Sequence, residues 1–97
     1  MIEIHRCNDG ILMTGHANYA EPGKDIVCAG ISALVQTLIQ SIEELTVDKI
    51  KYVMSPGTVD IEWGNLSEQA QLLVSSFFVG VEMIASEYPD NVKVTKH

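Results

Sequence analysis

Ninety-seven residues, 46% of them hydrophobic and 6% aromatic, suffice for one core and are too few for two. Thirteen acidic residues against six basic ones give a net charge of −7, which repels phosphate backbones and argues against direct nucleic-acid binding. The same charge favours a basic partner or substrate.

The opening MIEIHRCNDG lacks the basic-then-apolar pattern of a secretion signal. No stretch approaches the roughly 20 consecutive apolar residues of a bilayer span. The expectation is a cytoplasmic protein with no membrane partner. Within the opening, IEIHR alternates and CNDG turns the chain into ILMTG, which predicts a β-hairpin. Residues Asn18 to Lys24, NYAEPGK, carry a proline and a glycine without a period and read as a mobile surface loop. A helix follows. Ile31, Leu34, Val35, Leu38, Ile42 and Leu45 recur at three- and four-residue steps and form one apolar stripe. Asp25 is placed to cap it, while Glu43 and Glu44 oppose the dipole at its far end, so packing rather than propensity must hold that end.

KIKYVM and TVDIEW alternate around SPG and predict a second hairpin, with Ile50, Tyr52 and Met54 on one face and Val59, Ile61 and Trp63 on another. Asn65, with Glu68 three residues on, predicts the start of a second helix. Its apolar set includes Leu66, Leu73, Phe77, Val81 and Ile84, and Pro89 closes it. NVKV is a last short strand. The order ββαββαβ predicts an α+β fold, a layered sheet and helix pair forming a single domain over residues 1–97. Strand order is not legible from these patterns. The second helix holds more apolar side chains than one face buries, and adjacent Phe77 and Phe78 point in different directions. One of those faces is expected to join a two-fold dimer interface.

Two residues in this series carry chemistry. With Asp25 as N-cap, Cys28 is the third helical residue, where the positive end of the helix dipole favours the thiolate. Unpaired N–H groups there suit an oxyanion, and Ala29 and Gly30 leave the helix start open to a peptide. His16 stands twelve residues earlier, at a strand end after Gly15. The connecting loop permits a Cys–His pair. Ser32 lies one helical turn beyond Cys28, on the same face. Cys7 shares a strand face with His5, but two ligands are too few for a metal, and no CxxC or His-x-His spacing is present, so neither a metal nor another cofactor is expected. His97 is expected to be disordered. Two rival readings stand beside catalysis. One is a non-catalytic acidic module with a buried, inert Cys28 that binds a basic protein; the other is a thiol sensor using Cys7 and Cys28.

The stretch GHANYAEPGKDIVCAGISAL resembles the signature of the ribosomal-processing cysteine protease family Prp. That signature is a Gly-His pair at a strand end, a flexible loop, Asp-x-x-Cys, and a serine one helical turn later. Gly15, His16, Asp25, Cys28 and Ser32 match it, and the likeness extends through EEL, EQAQLL and SEYPDNVKV. The resemblance implies a small cytoplasmic homodimer that removes a short N-terminal extension from a large-subunit ribosomal protein precursor. Phage-encoded relatives would instead act on a capsid or scaffold protein. It implies Cys28 as nucleophile and His16 as general base, with Gly15, Asp25 and Ser32 in support. Cleavage would run through thiolate attack, oxyanion stabilisation, protonation of the leaving amine and thioester hydrolysis. Across the loop, Tyr19 would offer an aromatic wall, Glu21 a negative charge and Gly23 the freedom to order over a substrate.

Overall fold

The computed structural model describes residues 1–21 and 23–97. Five strands and two helices follow in the expected order: β1 Ile2–Cys7, β2 Gly10–Thr14, α1 Ile26–Leu45, β3 Lys51–Ser55, β4 Thr58–Glu62, α2 Glu68–Glu87 and β5 Val92–Lys96. The strands make one sheet in the order β3-β4-β2-β1-β5, antiparallel except where β5 runs parallel to β1.

Alternation along the strands gives the sheet two unlike faces. Ile2, Ile4, Ile11, Met13, Ile61 and Val92 point to the helix layer and are buried. Glu3, His5, Leu12, Asp60 and Lys93 lie on the opposite, uncovered face, as the registers Glu3↔Lys93, His5↔Leu12 and Leu12↔Asp60 require. The second hairpin departs from expectation. Tyr52 pairs with Ile61 and Met54 with Val59, so both apolar sets share the helix-side face, because residues directly opposite in an antiparallel ladder point the same way. As the edge strand, β3 reaches past the helices, and every one of its residues is exposed.

Helix α1 buries Val27, Ile31, Val35, Leu38, Ile39 and Ile42. Leu45, expected on that stripe, is exposed, since the helix ends there and the buried stripe stops one turn earlier. Helix α2 is capped by Ser67 and not by Asn65; the Ser67 hydroxyl accepts from Ala70 N–H at 3.2 Å. The reason is tertiary. Asp48, in the α1–β3 connection, accepts from both the hydroxyl and the N–H of Ser67 and so fixes the cap where it stands. Those bonds, the hydroxyl first, hold the Asp48 carboxyl below its ordinary value of 3.8.

Phe77 and Phe78 both turn inward, contrary to the expectation that one would face a partner. Phe78 lies under the Arg6 guanidinium of β1 at 4.5 Å, and Phe77 borders a cleft with Leu34 and Leu38 of α1. Two directions suffice because α2 packs on the sheet and on α1 at once. The outward apolar residues of α2 are Leu72, Val79 and Met83, 61–71% exposed. By length and composition alone both helices could cross a bilayer, a correction to the reading above. Each instead sends its apolar stripe into the shared core. His97 is also ordered: its N–H donates to Arg6 O at 2.8 Å, and its ring meets His5, Nε2 to Nδ1, at 2.9 Å.

Candidate active site

The chain leaves β2 through Gly15, whose φ of +91° suits glycine and where a Cβ would run into Met1 O. Gly15 N–H donates to Gly57 O at the tip of the β3–β4 hairpin, 2.9 Å away. This places the exposed His16 ring against the hairpin, with Nε2 only 3.0 Å from where a Cβ on Gly57 would stand. Ala17 dives back into the core and is almost fully buried. Its N–H donates to Cys28 Sγ at 3.5 Å, and its carbonyl accepts from Asn91 Nδ2 at 2.9 Å.

Cys28 occupies the first turn of α1, as the capping argument requires. Asp25 Oδ1 accepts from Cys28 N–H at 2.9 Å, and Oδ2 from Tyr19 N–H at 3.0 Å and Ala20 N–H at 3.4 Å. One carboxylate therefore ties the loop to the helix start. The Cys28 N–H is the main cause that holds the Asp25 carboxyl below its ordinary 3.8; partial burial opposes it, and the Tyr19 and Ala20 N–H groups reinforce it. This changes the oxyanion expectation. The N–H of Cys28 is taken by the Asp25 side chain and that of Ala29 by the Asp25 carbonyl at 3.0 Å.

His16, Cys28 and Ser32 line two adjoining cavities. One, about 300 Å³, runs under the hairpin and is walled by Ile2, Met13, Met54 and Val59. The other, about 560 Å³, opens toward the loop and is bordered by Asn18, Ala20, Gly23, Asp25 and Ala29. The thiol and the imidazole thus face common space, although no hydrogen bond joins Sγ to the His16 ring among the described residues. Such bonds are often long before a substrate closes the site.

Against this geometry the chain was compared with known proteins. A family described as "Cysteine protease Prp" matches residues 1–93. This chain belongs to the Prp family of cysteine proteases. It is 37% identical to the ribosomal processing cysteine protease Prp of Bacillus subtilis, covering 95% of this chain and 92% of that one. It is 33% identical to the protein of the same name from Staphylococcus aureus, covering 87% and 82%. Among solved structures it superposes with a TM-score of 0.96, at 27% identity and over all of both chains, on an essential S. aureus Prp carrying a covalently linked product peptide. A second structure, of S. aureus Prp with a substrate peptide, gives 0.83 at 26% identity over 99% and 97%.

Within the Prp frame, Gly15, His16, Asp25, Cys28 and Ser32 converge, and Gly23 borders the loop-side cavity. Tyr19 and Glu21 line neither cavity. Tyr19 stands edge-on to Tyr88 at 5.2 Å, and Glu21 lies 3.9 Å from Lys24 with both side chains in solvent. Pro22, read as part of the substrate loop, lies outside the described residues. Gly30 faces α2, where an added Cβ would meet Ile84 at 3.4 Å, so it does not serve substrate approach. Cys7 ends β1 beside a separate cavity with Arg6 and Trp63. Five strand residues, about 16 Å, separate it from Ile2 at the Cys28 cavity, too far for a disulfide in this fold. Three neighbours of the site were missed: Ala17, Gly57 and Asn91. The Pro-Gly pair at residues 56–57 signals a turn, but nothing local links that turn, or Asn91, to His16.

Proposed function

We propose that residues 1–97 act as one endopeptidase domain in which Cys28 attacks a peptide carbonyl and His16 moves the proton. The substrate in this reading is the short N-terminal extension of a large-subunit ribosomal protein precursor. The observation that carries it is the convergence of Cys28, at the N-terminus of α1, and His16 on the same pair of cavities. Sγ already receives the Ala17 N–H. With its ring turned into the shared cavity toward the sulfur, His16 holds the proton and later returns it to the leaving amine. Asp25 fixes the nucleophile's turn, and Ser32 borders both cavities next to it. The acidic chain suits a basic ribosomal substrate in the cytoplasm and does not suit direct contact with nucleic acid. The relatives named above are called ribosomal-processing enzymes, and nothing in them favours a capsid or scaffold substrate.

The reading extends to a homodimer. Leu72, Val79 and Met83 recur at seven and four residues and form one outward apolar stripe on α2, which a second copy would cover.

The test is cleavage of a synthetic ribosomal-protein extension, followed by mass spectrometry. Cys28→Ala is expected to abolish the product and leave the fold intact, and His16→Ala to stop turnover and slow iodoacetamide alkylation of Cys28 near neutral pH. Undiminished cleavage by Cys28→Ala would overturn the assignment. Alkylation of His16→Ala along the wild-type pH curve would remove His16 from the dyad.

A further inference from the structure

The segment that carries His16 is not held by strand pairing. It runs from Gly15 to Asn18, and both ends adopt positive φ, +91° and +55°. Between them Ala17 donates its N–H to Cys28 Sγ and offers its carbonyl to the rest of the protein. The two peptide units share the Ala17 Cα, so whatever fixes the carbonyl also limits where the N–H can point.

Asn91 supplies that grip. It sits in the turn between α2 and β5, seventy-four residues along the chain, and its Nδ2 donates to Ala17 O at 2.9 Å. Its own backbone is held twice: its N–H donates to Tyr88 O at 3.0 Å, and its carbonyl accepts from Ile2 N–H at 2.8 Å at the first rung of β1. Tyr88, from the same turn, also packs edge-on against Tyr19 at 5.2 Å. The turn after α2 therefore clasps the segment on both sides of Asn18. Ala17 is 1% exposed, so water is not at hand to replace a lost partner on its carbonyl.

We infer that Asn91 is a positioning residue for Cys28: by holding the Ala17 carbonyl it keeps the Ala17 N–H on Sγ and thereby sustains the reactive thiolate. The inference deepens the cysteine-nucleophile reading and rests on it for any effect on turnover. An N–H donor favours the charged sulfur over the neutral thiol, because a hydrogen bond to an ion is stronger than one to a neutral group. Without the Asn91 amide the buried Ala17 carbonyl loses its partner, and a shift of the Gly15–Asn18 segment that finds it another takes the Ala17 N–H off Sγ.

The experiment uses the full chain with Cys7→Ser, so that Cys28 is the only thiol. Asn91→Leu keeps the size and removes the donor without adding a charge; Asn91→Ser withdraws it with less perturbation where Asn91→Leu does not fold; Asp90→Asn is the neighbouring control. The readouts are thermal unfolding, the pH profile of iodoacetamide alkylation, and kcat and KM for an extension peptide. Loss of one hydrogen bond of ordinary net strength should move the profile upward in pH and lower kcat at neutral pH roughly three- to tenfold, with KM nearly unchanged. Asp90→Asn should match the parent. If the Asn91 variants melt earlier but alkylate along the parent curve, Asn91 is only structural and the inference fails. Alkylation needs no proteolysis, so it decides this point even if the parent cleaves no extension peptide, a result that would count against the proposed substrate instead.

Discussion

Gly57→Ala tests whether the β3–β4 hairpin tip positions His16, because one added methyl group carries two separable costs. The first is conformational: Gly57 has φ +76°, and placing an L-residue there costs about 1–2 kcal/mol. For a chain of this length that lowers the unfolding midpoint by roughly 4–16 °C, and a domain with about 5–15 kcal/mol of stability remains folded. The second cost is local. The new Cβ would lie 3.0 Å from His16 Nε2 and 3.4 Å from Cε1, so the ring must withdraw by about half an ångström to reach ordinary contact. A 1 Å misplacement near the reacting groups can cost about a hundredfold, so half of that should cost about tenfold in kcat/KM. Gly23→Ala provides the comparison, since Gly23 has φ +85° but nothing within 4 Å of an added Cβ. It should show the stability loss without displacing His16. The assays are thermal unfolding and cleavage of an extension peptide at 25 °C. If Gly57→Ala melts like Gly23→Ala yet cleaves with wild-type kcat/KM, the hairpin tip does not set the position of His16.

Asp25 links the loop to the helix start as an anion, and its folded-state value is lowered. Its contribution should therefore be complete above the ordinary 3.8 and disappear only as pH falls through the lower folded value. Amide resonances of Tyr19 and Cys28 should stay constant from pH 7 to about 5 and move together at a midpoint under 3.8; a midpoint at or above 3.8 would contradict the bonding described. Leu72→Glu combined with Met83→Glu should convert a dimer to a monomer in light scattering and leave the fold unchanged, because both side chains point away from the core. A wild-type monomer at micromolar concentration would remove the dimer from the reading.

The elements of the fold were legible because each has a local cause. Alternation marks the strands, the Ile31–Ile42 spacing marks α1, and Pro89 closes α2. The errors arise where a distant group decides. Asn65 has the right chemistry for a cap, but Asp48 holds Ser67 at the helix entry, and a connection nearly twenty residues upstream leaves no trace in the local pattern. The local pattern sends one of Phe77 and Phe78 to an interface without saying which, because adjacent helix residues point in different directions. Phe78 is covered instead by the Arg6 side chain, on a strand whose place in the sheet no periodicity reveals. Strand order itself depends on which edges meet, and the parallel pairing of β5 with β1 joins the two ends of the chain.

The active site divides along the same line. Asp25 and Cys28 were readable together because capping is a rule over three residues, and the Cys28 N–H does meet Asp25 Oδ1. His16 was readable as a candidate, since a loop that joins a strand end to a helix start can bring a histidine beside a cysteine. What aims these residues was not readable. The His16 ring rests on Gly57 from the second hairpin, and the Ala17 N–H reaches Sγ under the hold of Asn91 from the turn before the last strand. The reactive groups therefore sit within thirteen residues of sequence, whereas their supports come from positions some forty and seventy residues further on. Substitutions at Gly57 and Asn91 should accordingly perturb the chemistry of Cys28 and His16 more than their distance in sequence suggests, and Tyr19 or Glu21, inside the motif but outside both cavities, should perturb it less.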